Sequence, residues 1–203
     1  MIKATTKKKT REEILEISVP LFANGGYDGV SMRDVAAAIG LTTAALYYHF
    51  TDKEQLYLDV MAHEFREKPS ELTTILKGSE PPWVRLEKFI VEFTNLVAAD
   101  KNFLRLIQWL RLESDEARHQ KLAEYVFKDI FVSIHDLVAE LDSRYDAHML
   151  AMSIIALMSF PFESTTRKFM PGYQPEQDKP SVVAKYVIDL LRTGLSKPAG
   201  HVT

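Results

Sequence analysis

The chain has 203 residues, a formal net charge of −3 and 46% hydrophobic residues. That hydrophobic share excludes a disordered chain, and the length accommodates one domain or two small ones. Cysteine is absent, which excludes a disulfide framework or thiolate metal site and fits a reducing compartment.

Charge is uneven along the chain. Residues 1–11 carry Lys3, Lys7, Lys8, Lys9 and Arg11 and no acid, an arm suited to tracking phosphates and equally to a plain solvated, disordered terminus, and lacking the apolar core of a signal peptide. Thr10 can cap a first helix, with Glu12 and Glu13 near its positive end. Ile14, Leu15, Ile17, Val19, Leu21 and Phe22 supply a wide apolar face, Pro20 predicts a bend, and Gly25-Gly26 ends the helix. Tyr27 and Val30 are expected to pack back on it.

Ser31 is a good N-cap, with Asp34 three residues on, and Val35, Ala36 and Ile39 recur at one-face helical spacing. Gly40 falls where the chain must turn sharply, a place for positive φ. Thr42 or Thr43 restarts the helix, and Leu46 and Phe50 share its buried face. Thr43, Ala44, Tyr47, Tyr48 and His49 are left on the remaining surface. Small residues followed by hydroxyls and an imidazole suit a helix entering a major groove.

The run from Gly40 through Leu46, Tyr47, His49, Phe50 and Lys53 to Leu56, with Phe22, Gly26, Tyr27, Val30, Ser31, Val35 and Ala36 upstream, resembles the helix-turn-helix signature of TetR-family transcriptional regulators. The resemblance covers about the first quarter of the chain; Ala44 departs from it, since many members carry glycine there. It implies an all-α fold: residues 1–53 as a three-helix DNA-binding head with a basic arm, and 54–203 as a helical ligand-binding and dimerisation body. Carried over position by position, it implies DNA contacts by Ser31, Arg33, Thr42, Thr43, Ala44, Tyr47, Tyr48, His49 and Lys53. Ser31, Tyr48, His49 and Lys53 are expected on the backbone, and Arg33, Thr43, Ala44 and Tyr47 near bases.

Beyond the head, Thr51-x-x-Glu54 reads as a capping box opening a helix from Lys53 to Glu67. Lys53 at that N-terminus opposes the helix dipole, which suits a phosphate contact and equally a plain solvent lysine. Lys68-Pro69-Ser70 and Lys77 through Pro82 bracket a short segment, Glu71–Leu76. Pro82 starts an amphipathic helix to about Ala99, and Asn102 can cap the next, apolar nearly all round to Leu112. A long helix is predicted over Asp115–Leu141, another from Tyr145 or Asp146 to Lys168, a loop from Met170 to Pro180, and a last helix over Ser181–Leu195. The longest apolar run, Met149–Phe162, is too short to span a bilayer and is broken by serines and Pro161.

The resemblance further implies a homodimer built from the last two long helices, a double-stranded DNA operator as partner, and a small-molecule effector held between body helices. Phe89, Phe93, Phe103, Trp109, Phe127, Phe131, His135, Met149 and Met152 are the candidate pocket residues, and their composition suits a largely apolar effector. At helical spacing such residues also serve as plain core, and His135 and His148 as ordinary histidines. Asp115 and His119 stand four apart without a third ligand nearby, a poor basis for a metal site. Nucleophile–base spacing, HExxH and phosphate-loop motifs are missing, so no enzymatic activity, cofactor or membrane partner is expected, and the expected location is the cytoplasm. A ligand-independent DNA-binding adaptor with the same head is the alternative.

Overall fold

The computed structural model describes residues 9–67 and 69–195. The arm lysines Lys3, Lys7 and Lys8, together with Lys68 and the tail from Ser196, lie outside the described residues. The described chain is all-α: α1 Arg11–Gly25, α2 Met32–Ile39, α3 Thr43–His49, α4 Lys53–Ala62, α5 Ser70–Leu76, α6 Pro82–Ala99, α7 Lys101–Leu112, α8 Glu116–Leu122, α9 Lys128–Leu141, α10 Ala147–Glu163 and α11 Pro180–Leu195. No helix among the described residues is long and apolar enough to cross a membrane.

Two compact units emerge. The first takes the described residues up to 67 together with Arg105–Val126, and the second takes Pro69–Leu104 and residues 127–195. The expected division at 53/54 does not coincide with a boundary between these units: α4 groups with α1 in the first unit, where Tyr57 stacks edge-on against Phe22 at 5.2 Å.

In the first unit, local signals set the helix ends. Thr10 caps α1 and exchanges hydrogen bonds with Glu13 in a full capping box; Ser31 and Asp34 do the same for α2. The core joins Ile14, Val19, Phe22, Val35, Leu46, Phe50, Leu56, Tyr57 and Val60, each 5% exposed or less. Burial pushes the Tyr57 phenol up to about 12, so it stays protonated under any ordinary condition. The C-terminal part of α7 lies against the end of α1. Trp109 Nε1 donates to the Ala23 carbonyl at 3.2 Å, and Arg105 bonds Asn24. Gly26 has φ +64°, and a Cβ there would sit 2.7 Å from the Trp109 ring, so glycine is required by both backbone and contact.

The second unit packs α5, α6, α9, α10 and α11 around Leu76, Leu86, Phe89, Ile90, Leu137, Val138, Ile154, Met158 and Val187. Arg85 is buried at the edge of this core. Its guanidinium donates to the Leu76 carbonyl at 2.7 Å, the Glu80 carbonyl at 2.9 Å and Glu140 at 2.6 Å. It thereby satisfies a carbonyl at the C-terminal end of α5 that has no partner within the helix.

Several expected boundaries move, each for a local reason. Asp52, not Thr51, caps α4, accepting from Gln55 N at 2.7 Å. Asp100 rather than Asn102 caps α7, accepting from Asn102 N and Phe103 N. α7 is less enclosed than its composition suggested: Leu112 is exposed, and Phe103 and Leu106 are its fully buried apolar side chains. The long helix expected over Asp115–Leu141 is split by a π-helical turn at Ala123–Phe127, and α4 likewise ends in one at His63–Glu67. α10 stops at Glu163, and the residues expected to extend it to Lys168 form a 3₁₀ turn, Thr165–Phe169. Arg167 and Lys168 of that turn both pair with Asp178, which ties it to the following loop.

Candidate nucleic-acid interface

α2, the turn at Gly40 and α3 form a helix-turn-helix. Gly40 takes the left-handed conformation at φ +70°, and its N–H caps α2 by donating toward Ala36 and Ala37 carbonyls. Thr42, not Thr43, then caps α3, its side chain accepting from Ala45 N at 3.2 Å. Leu46 and Phe50 turn inward and are at most 1% exposed, which fixes the rotation of α3 about its axis.

That rotation leaves the other face outward. Ala44 is exposed, Tyr47 is 50% and Tyr48 78% exposed, while Thr43 and His49 are partly exposed. Ser31 and Arg33 on α2 and Lys53 on α4 are also open to solvent in whole or part. The nine residues carried over from the resemblance thus lie on the open surface of one compact unit. Two of them already have structural work: the Ser31 hydroxyl donates to Asp34 at 2.6 Å, and Thr42 caps α3. Of the described arm residues, Arg11 pairs with the buried carboxylate of Asp59 and lies over the Phe50 ring, so it is anchored to the head.

Lys53 has a neighbour that sequence spacing did not reveal. Its ammonium lies 4.1 Å from the centroid of the Tyr27 ring, and the Arg118 guanidinium lies 3.6 Å from the same centroid. Arg118 is buried and pairs with Glu113 at 2.5 Å and Asp115 at 3.2 Å. Burial would raise the Glu113 carboxyl, but hydrogen bonds from Asp115 N and Arg118 outweigh it and hold the group below the usual carboxylate range. Three residues along α8, Lys121 pairs with Glu54 on the first turn of α4 at 2.5 Å. Asp115 caps α8, and His119 Nε2 lies 2.9 Å from the Glu113 carbonyl.

Of the candidate pocket residues, Phe89, Phe93 and Phe131 share the core cluster of the second unit. Phe89, Phe93 and Phe103 form a chain of ring contacts at 5.9 and 6.3 Å in the second unit. Phe131, also there, packs on His148 at 5.2 Å. Phe127 is half-buried at the end of the π-turn before α9. Trp109 belongs to the first unit, where it covers Gly26. His135 is half-exposed and directed to Asp136 at 3.1 Å. Met149 and Met152, 64% and 47% exposed, lie on an outward face of α10, not in the core.

A helix rotated by two buried side chains so that tyrosines, an imidazole and small residues face out, with cations beside it, defines a helix-turn-helix DNA-binding protein. Residues 14–60 match the family described as bacterial regulatory proteins, tetR family. Its helix-turn-helix segment is that of TetR-family transcriptional regulators. The chain is 24% identical over 145 residues to the biofilm operon icaADBC HTH-type negative transcriptional regulator IcaR of Staphylococcus epidermidis, covering 70% of this chain and 72% of that one. It is 25% identical over 195 residues to the nucleoid occlusion factor SlmA of Klebsiella pneumoniae, covering 90% and 98%. Its fold is similar to that of the transcriptional regulator FadR from Bacillus subtilis, solved in complex with stearoyl-CoA, with TM-score 0.75, 18% identity and coverage of 91% and 99%.

Proposed function

We propose that the protein is a ligand-responsive repressor that binds a palindromic operator as a homodimer and is released by a small-molecule effector. The observation that carries the DNA-binding part is the rotation of α3, with Leu46 and Phe50 buried and Ala44, Tyr47 and Tyr48 outward. In this reading Arg33, Thr43, Ala44 and Tyr47 approach bases. Ser31, Tyr48, His49 and Lys53 approach the phosphate backbone, where contacts set register and orientation. Arm residues ahead of Arg11 would add electrostatic attraction.

Dimerisation is supported by two apolar stripes that the single chain leaves uncovered. Met149, Met152 and Phe160 line one face of α10, and Val182, Tyr186 and Leu190 recur four apart on α11. A monomeric head reads too few base pairs for tight binding, and a two-fold axis doubles the contacts. The two heads must then meet major grooves about 34 Å apart along the duplex. An effector that prefers the mis-spaced form lowers operator affinity by its differential binding energy and no more.

For the effector, the aromatic chain of Phe89, Phe93 and Phe103 favours a largely apolar molecule. Acyl thioesters of coenzyme A are the first class to test, given the stearoyl-CoA bound by the structurally similar FadR. The protein acts in the cytoplasm through binding, without catalysis and without a cofactor. The second reading is a DNA-binding adaptor that ignores small molecules, favoured by a likeness to SlmA that spans 98% of that protein. A thermal-shift screen of acyl-CoAs of graded chain length, followed by operator release, separates them. A stabilising acyl-CoA that dissociates the DNA complex supports the repressor; operator binding indifferent to all of them supports the adaptor.

A further inference from the structure

The first turn of α4 is built around an aromatic ring with a cation on each side. Lys53 Nζ and the Arg118 guanidinium lie 4.1 and 3.6 Å from the Tyr27 centroid. Two cations this close to one ring must use opposite faces, since a shared face would bring like charges into contact. The two faces differ in what holds the cation. Arg118 is 8% exposed and fastened by Glu113 and Asp115, whereas Lys53 is partly exposed with no ion pair among the described residues. The ring edge is fixed as well, because Tyr27 stacks edge-on against the buried Tyr57 at 5.2 Å.

A lysine side chain has four rotatable bonds, and ordering it on DNA costs conformational entropy. A ring beneath the ammonium removes part of that cost beforehand. It does so without using the group up: the ammonium has three donors, and those turned away from the ring still face solvent. We infer that Tyr27 is a positioning residue for operator binding, which pre-orders Lys53 for a DNA phosphate while Arg118, locked by Glu113, holds the ring from behind. This inference rests on the phosphate contact assigned to Lys53 above. It gives the segment around Glu113–Arg118, distant in sequence from the helix-turn-helix, a direct influence on DNA affinity.

The test is a double-mutant cycle read by fluorescence anisotropy at several KCl concentrations. The probe is a labelled duplex selected by the parent protein from a random-sequence pool. Lys53→Met should make the salt dependence shallower by about one phosphate contact. Tyr27→Leu should weaken binding about fivefold with the same flattening, and Tyr27→Phe, which keeps the ring, should bind like the parent. In the Lys53→Met background Tyr27→Leu should add nothing, and the paired change Glu113→Gln with Arg118→Met should show the same dependence on Lys53. Thermal melting of each variant confirms a folded head. Equal losses from Tyr27→Leu in both backgrounds, or tighter binding on losing the ring, would overturn the positioning role while leaving the Lys53 contact intact. An unchanged affinity and salt slope for Lys53→Met would overturn the phosphate contact and the inference together.

Discussion

The two compact units leave opposite kinds of surface open. In the first, Phe22, Leu46, Phe50 and Tyr57 are fully enclosed, and the outward side of α3 presents hydroxyls, an imidazole and small residues. In the second, an equally tight core coexists with uncovered methionine, phenylalanine, tyrosine and leucine on α10 and α11. A polar face with cations beside it suits a hydrated, charged partner such as DNA. An apolar stripe left exposed on α10 and α11 suits another protein surface, and the economical choice is a second copy. On the proposed function one chain separates reading from pairing, and each can be broken independently.

The largest expected effect is on pairing. Phe160→Glu with Tyr186→Glu should place four charges in a two-fold interface, give a monomer by light scattering, and lower operator affinity by at least about 100-fold through loss of the second half-site. A stable dimer in that variant would remove α10 and α11 from the interface. On the reading side, Tyr47→Ala should weaken operator binding by about 10-fold or more while dimer mass and melting temperature hold. Parental DNA affinity would take Tyr47 off the interface.

Gly26→Ala probes the first unit from within. The backbone at φ +64° and the 2.7 Å approach to Trp109 should together cost about 2–3 kcal/mol, lowering the melting temperature by roughly 5–10 °C. The smallest effect separates two neighbouring residues at the start of α4. Asp52→Ala should cost about 1 kcal/mol through loss of the cap, and Thr51→Ala should be within about 0.5 kcal/mol of the parent by denaturant melts. Equal costs would mean that Thr51 shares the capping.

Among helix ends, the legible ones depended on a residue and its next three neighbours. Thr10 with Glu13, Ser31 with Asp34, and the positive φ at Gly40 all follow from such short patterns. Where two polar residues competed, the pattern was ambiguous: Thr51 against Asp52, and Asp100 against Asn102, were decided by which side chain the turn aimed at the free N–H groups. The π-turns at His63–Glu67 and Ala123–Phe127 left no mark in the periodicity, because an added residue in one turn shifts a helical face without breaking its apolar character. Within the first unit these two turns meet: the Arg66 guanidinium lies over the Tyr125 ring and donates to the Tyr125 carbonyl at 3.1 Å.

The candidate DNA face was legible because the residues that orient α3 and those it displays lie within one stretch, and their spacing encodes inward and outward directions. The apolar candidates of the body were not sorted by the same rule. Phe89, Met149 and Trp109 look alike in a hydrophobicity pattern, yet one is core, one is open surface and one covers a glycine in the other unit.

By itself the sequence determined the all-helical class, the caps at Thr10 and Ser31 and the helix-turn-helix, since these arise from interactions a few residues apart. Tertiary structure alone decided that Trp109 closes on Gly26, that Arg11 meets Asp59, and that Tyr27 sits between Lys53 and Arg118. Those pairings join residues tens of positions apart, and which distant side chains meet depends on how the helices pack, a property no local pattern carries.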